Sequence, residues 1–102
     1  AEGVACMTSP EELLGAAHSA CYSMALSNGL ANGGHAPESL QVTAAVTFQP
    51  GEGITGSHLL VSAKVPGISE EEFEKFAEEA KLNCPVSKAL TGIPITLEAS
   101  LA

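Results

Sequence analysis

Residues 1–8 show no periodicity, which predicts a loop or a truncated start; from Ser9 onward the chain is strongly patterned. Ser9-Pro10-Glu11-Glu12 is a helix opening: Ser9 can cap, Pro10 suits the first helical position, and Glu12 completes a capping box. Both carboxylates also lie at the positive end of the helix dipole. The helix is predicted from residue 10 to about residue 31, where Asn32-Gly33-Gly34 stops it. Its middle, residues 13–26, carries no formal charge, whereas a surface helix is charged along one face. That predicts a helix buried on most sides, with small residues that let neighbouring backbone come close.

At residue 40 the period changes. Leu40, Val42, Ala44, Val46 and Phe48 alternate with Gln41, Thr43, Ala45 and Thr47, as in a half-buried strand over residues 40–48. Pro50-Gly51-Glu52-Gly53 makes a turn, and residues 54–65 form a second strand with Leu59, Val61, Ala63 and Val65 on one face. The two strands are expected to pair as a hairpin. Ser69-Glu70-Glu71-Glu72 is a second capping box, opening a helix to about residue 82 with Phe73, Phe76, Ala77 and Ala80 as its apolar stripe. Glu71 and Lys75 are spaced for an i,i+4 pair, and the acidic run reads as a solvated helix face. Asn83-Cys84-Pro85 breaks this helix, because proline restricts the residue before it. A short helix follows through residue 90, then Thr91-Gly92 and a last strand over residues 93–101. Helices and strands are segregated, so the fold class is α+β, in one domain over residues 1–102.

Composition narrows the function. The net charge is −8, with four basic residues, all Lys. A nucleic-acid backbone binder needs clustered Lys and Arg, so nucleic acid is excluded as a partner. With no Arg, the chain has no planar fork with which to hold an anion or a thiolate. No apolar run is long enough to span a bilayer, and Ala1-Glu2-Gly3-Val4 lacks the basic region of a signal peptide, so no membrane partner and a cytoplasmic location are expected. Aromatic residues are few, and a chain this short buries only about two thirds of its unfolded surface, which favours an oligomer.

Cys6, Cys21 and Cys84 match neither a disulfide framework nor a zinc spacing. Cys21 lies in the middle of the uncharged helix; in apolar surroundings a thiol is inert unless a cation stands nearby, and the same-face candidate on that helix is His18, at i−3. Cys84 precedes Pro85 and is expected at a helix start, where backbone N–H groups favour a thiolate. Cys6 reads as incidental. His18, His35 and His58 share no ligand spacing, and phosphate-binding and nucleophile-elbow loops are absent, so neither a metal nor a cofactor is expected. Spacing alone leaves two thiols, each either structural or reactive.

The residues around these thiols are more specific. The stretch Thr8-Ser9-Pro10-Glu11-Glu12-Leu13-Leu14-Gly15-Ala16-Ala17-His18-Ser19-Ala20-Cys21-Tyr22-Ser23-Met24-Ala25-Leu26 closely resembles the first cysteine motif of the osmotically inducible protein C (OsmC) family. Asn83-Cys84-Pro85-Val86-Ser87-Lys88-Ala89-Leu90 resembles the second, closer to the OsmC branch than to the organic hydroperoxide resistance (Ohr) branch. The resemblance covers residues 8–102. It implies an OsmC-like fold, with a long central helix between sheets in an intertwined homodimer. It also implies a thiol peroxidase acting on organic hydroperoxides and, less efficiently, hydrogen peroxide, in stress defence. By motif match Cys21 would be the peroxidatic cysteine and Cys84 the resolving one, joined as a disulfide that a dithiol reductant reopens. Glu11 matches the family glutamate that orients a thiolate-stabilising Arg; the resemblance implies that this Arg comes from strands preceding the first motif, so either an N-terminal segment absent from this sequence is expected to supply it, the favoured reading, or the chain is a degenerate variant. Ten residues separate Glu11 from Cys21, about 15 Å along a helix, so Glu11 is expected to serve Cys21 of the other subunit. The alternative reading is a non-enzymatic stress protein that holds a small apolar ligand at the dimer interface.

Overall fold

The computed structural model describes residues 9–102. The irregular start predicted for residues 1–8, Cys6 included, lies outside the described residues. Helix α1 spans Pro10–Asn32 and opens on the full capping box: Glu12 N–H donates to Ser9 Oγ at 3.2 Å, and Ser9 N–H donates to Glu12 Oε1 at 3.0 Å. After its C-cap Gly33 the chain turns through Gly34 at φ +86°, a conformation that costs glycine nothing. The face built from Gly15, His18, Tyr22, Leu26 and Leu30 is buried, at the three- and four-residue spacing of one helical stripe. The opposite face is open: Leu13 is 62% exposed and Met24 67%. The predicted burial on most sides is therefore met on one side only within a single chain, because one sheet covers one face of a helix.

Strands β1 (Ser39–Gln49) and β2 (Gly53–Lys64) form the predicted antiparallel hairpin, with Val42 opposite Val61 and Ala44 opposite Leu59. A register shift between Thr47 and Phe48 kinks β1 beside the turn. Helix α2 (Glu70–Asn83) and the short α3 (Pro85–Ala89) then carry the chain to β3 (Ile95–Leu101), which runs parallel to β2. β2 is thus the central strand, in the order β1-β2-β3.

Three sequence expectations are adjusted. The last strand begins at Ile95 rather than Ile93: Pro94 has no N–H to donate to a ladder, while its carbonyl accepts Ser57 N–H at 3.1 Å. Only half of the second capping box forms, Glu72 N–H donating to Ser69 Oγ at 3.2 Å. The ion pair on α2 joins Lys81 to Glu78 at 2.9 Å, in place of the expected Lys75–Glu71 pair.

One sheet face carries the core, where Leu59, Val61 and Ala63 of β2 meet Tyr22, Leu26 and Leu30 of α1 and Phe73 and Ala80 of α2. The other face presents Gln41, Thr43, Ser62, Glu98 and Ser100, all exposed. No helix among the described residues is long and apolar enough to cross a membrane.

Candidate thiol site

Cys84 is the single residue between two helices. Its extended backbone (φ −57°, ψ 124°) is what the following proline demands. Its N–H donates to Ala80 O at 2.9 Å, closing α2, and its carbonyl accepts Lys88 N–H at 3.0 Å, opening α3. This double capping sets the Cys84 side chain into the core, fully buried. From the middle of α1, Cys21 packs against the same cluster and remains half-buried. Each thiol perturbs the ionisation of the other, and both are free. One residue along α1, the buried Tyr22 donates its hydroxyl to Ala77 O at 2.8 Å and ties α1 to α2 just before Cys84.

The two thiols differ electrostatically. Burial pushes the Cys21 thiol above its ordinary value, and the neighbouring Cys84 adds to the rise. Burial acts on Cys84 in the same direction but is outweighed by polar groups around its sulfur: the Cys21 thiol, the N–H and hydroxyl of Ser87, and Val86 N–H. Cys84 therefore ends below the ordinary value. None of these closes a cap hydrogen bond on the sulfur; they act as dipoles at the start of α3.

His18 does not supply the cation that its spacing from Cys21 offered. Its ring is fully buried, and burial depresses its pKa and keeps it neutral. Its Nδ1 is 2.7 Å from Ser57 Oγ on β2, and its Nε2 is 2.8 Å from Ser87 Oγ on α3. Sequence reasoning missed both serines. Ser57 carried a usable signal, since strand alternation puts it on the same face as Leu59 and Val61, a polar residue at a core position. Ser87 carried a weaker one, three residues after Cys84, where the two share a helix face.

Glu11 lies in the first turn of α1, ten residues before Cys21 on the same helix, so about 15 Å of axis separates them. The fold brings Cys21 and Cys84 together and leaves Glu11 apart. No group of three or more His, Cys, Asp or Glu suited to a metal ion occurs among the described residues.

The profile of the family described as OsmC-like protein matches residues 3–98. The chain belongs to the OsmC family. It is 44% identical over 97 residues to peroxiredoxin OsmC of Escherichia coli, covering 92% of this chain and 67% of that protein. To the organic hydroperoxide resistance protein OhrA of Bacillus subtilis it is 36% identical over 94 residues, covering 89% of this chain and 66% of that one. The crystal structure of an organic hydroperoxide resistance protein from Elizabethkingia anophelis superposes with a TM-score of 0.74 at 29% identity, over 95% of this chain and 71% of that one. The chain thus spans about two thirds of the length of these OsmC and Ohr relatives.

As in the sequence resemblance, the two OsmC-type cysteine stretches are the elements of interest, and in the fold they adjoin. A half-exposed thiol beside a buried thiol of lower pKa is an arrangement suited to dithiol–disulfide chemistry.

Proposed function

We propose that this chain is the cysteine-bearing part of a thiol peroxidase that reduces organic hydroperoxides and, more slowly, hydrogen peroxide. The observation that carries this reading is the pairing of Cys21 and Cys84, the first reachable from solvent and the second enclosed behind it. The names of the E. coli and B. subtilis relatives point to the same chemistry.

In the proposed cycle the Cys21 thiolate attacks the terminal peroxide oxygen. An S–O bond forms, the O–O bond breaks, and the alkoxide leaves to take up a proton as the alcohol. Cys21 is then a sulfenic acid. Cys84 attacks that sulfur as a thiolate; the S–S bond forms and the hydroxyl leaves, combining with the Cys84 proton as water. A lipoyl-type dithiol, or two equivalents of a small thiol, returns both cysteines to thiols by exchange and is itself oxidised to a disulfide. A resting state with free thiols suits a reducing cytoplasm.

Two parts of the machinery lie beyond a single copy of residues 9–102. The raised Cys21 pKa calls for a cation, and the chain has no Arg. Glu11 is proposed to hold such a cation for Cys21 of a second subunit, consistent with its separation from its own Cys21 along α1. The uncharged outer face of α1, with Leu13 and Met24 exposed, is proposed as the homodimer contact.

Peptide mapping after one equivalent of cumene hydroperoxide tests the cycle. A Cys21–Cys84 disulfide is the expected product. Recovery of both cysteines as free thiols, with the peroxide consumed, would overturn the assignment.

A further inference from the structure

The proposed chemistry gives His18 no role, yet it is fully buried and both of its ring nitrogens are engaged. Three elements meet on it: α1 supplies the ring, β2 supplies Ser57 and α3 supplies Ser87. Ser87 is itself buried and lies three residues after the N-cap Cys84 on α3, so the two side chains share one helix face. Its hydroxyl is among the groups that hold the Cys84 thiol below its ordinary pKa. The result is a buried polar cluster in which two hydrogen bonds link Ser57, His18 and Ser87, with Cys84 beside Ser87 at the start of α3.

A neutral imidazole has one donor and one acceptor nitrogen, so this cluster has two polarities. With the proton on Nε2, His18 donates to Ser87 Oγ, and the Ser87 hydroxyl is left free to donate to the Cys84 sulfur. With the proton on Nδ1, Nε2 accepts the Ser87 proton, and the Ser87 oxygen can only accept from a Cys84 thiol. The first arrangement favours a thiolate and the second a thiol. Ser57 accommodates either, since a hydroxyl both donates and accepts.

We propose that His18 is a positioning residue for Cys84: anchored by Ser57, it aims the Ser87 hydroxyl at the Cys84 sulfur and so sets how readily that thiol becomes a nucleophile. This deepens the peroxidase reading, in which Cys84 resolves the sulfenic acid, and rests on it for its biological meaning. The ionisable groups facing Cys84 from the packed helix are Cys21 and Tyr22 of α1; Lys81, one turn earlier on α2, is held by Glu78.

The test reads Cys84 directly and needs no peroxidase activity. In the chain carrying Cys6→Ser and Cys21→Ser, the ionisation of Cys84 is followed against pH by thiolate absorbance at about 240 nm, which needs no reagent to reach the buried sulfur. Ser87→Ala removes a donor to the thiolate and is expected to lower the thiolate fraction at pH 7 by about tenfold. His18→Asn, which reaches only the Nδ1 position, is expected to do the same. His18→Gln, whose amide reaches the Nε2 position, is expected to recover most of the thiolate fraction. If His18 acts through Ser87, His18→Asn adds nothing once Ser87 is Ala. An unchanged pH profile in His18→Asn, or additive effects in the double variant, overturns the proposal. Should His18→Asn fail to fold, Ser87→Ala and His18→Gln decide it: an unchanged profile in the first, or a tenfold loss in the second, has the same force. Failure of the peroxidase reading alone leaves these titration curves as predicted.

Discussion

Cys21 on α1 and Cys84 at the α2–α3 junction face each other across the core, the first half-buried and the second fully so. On the proposed peroxidase reading, that asymmetry orders the steps: Cys21 is the thiol that peroxide would meet first, with Cys84 enclosed behind it.

Replacing either cysteine should separate the two roles. Cys21→Ser is expected to abolish consumption of cumene hydroperoxide. Cys84→Ser is expected to allow one turnover and then strand Cys21 as sulfenic and sulfinic acid, visible by intact mass. Full peroxide consumption by Cys21→Ser would reject the mechanism.

The raised Cys21 pKa fixes a pH dependence for this chain on its own. The thiolate is the nucleophile, so the second-order rate with peroxide should climb as pH rises from 7 to beyond 9. Stopped-flow measurement across that range checks this. A plateau already at pH 7 would mean that a cation acts on Cys21 within the chain.

Burial depresses the His18 pKa below its ordinary value of 6.5. Below that value the unfolded chain takes up a proton that the folded chain refuses, so stability falls as pH drops below 6.5, down to the depressed folded value. Thermal melting between pH 7 and pH 5 should show this loss, and His18→Gln should remove the part due to this group. An unaltered slope in that variant would place the loss elsewhere.

Gly15 marks where α1 touches the sheet. A Cβ there would sit 2.8 Å from the Ala44 carbonyl oxygen of β1, which is backbone and cannot turn aside. Gly15→Ala is therefore expected to destabilise by about 1–2 kcal/mol despite the better helix propensity of alanine. Gly29→Ala is the control: its Cβ would meet Phe76 Cδ1 at an ordinary 3.8 Å and should be neutral or mildly stabilising. Urea midpoints of the two variants give the comparison.

The exposed apolar face of α1 gives a test of assembly. Met24, 67% exposed within one chain, should be covered in a homodimer. Met24→Glu would bury a charge there and is expected to shift the mass measured by light scattering from dimer to monomer. An unchanged mass would move the interface off this face.

Most of the fold was legible because it rests on local rules. The Ser9–Glu12 box, the Gly33-Gly34 stop, the alternation through Val42 and Val61 and the Asn83-Cys84-Pro85 break each constrain neighbouring residues. The start of β3 was misplaced by two residues, since the pairing partner of Pro94, Ser57, stands 37 positions away. The site was half legible: Cys21 and Cys84 stood out by motif, while the part of His18 was misjudged. A residue three before Cys21 looks like its neighbour, but the helix turns His18 toward β2 and α3 instead.

The sequence by itself determined the elements, their order, the family and the two thiols of interest, all of which follow from periodicity, capping and motif. Only the tertiary structure decided which groups surround each thiol. Ser57, His18 and Ser87 lie on three elements, separated by 39 and 69 positions from the histidine between them. No short-range pattern encodes that meeting. It arises because parallel pairing of β3 with β2 brings α3 back beneath α1, where a polar group shut away from water must find a partner.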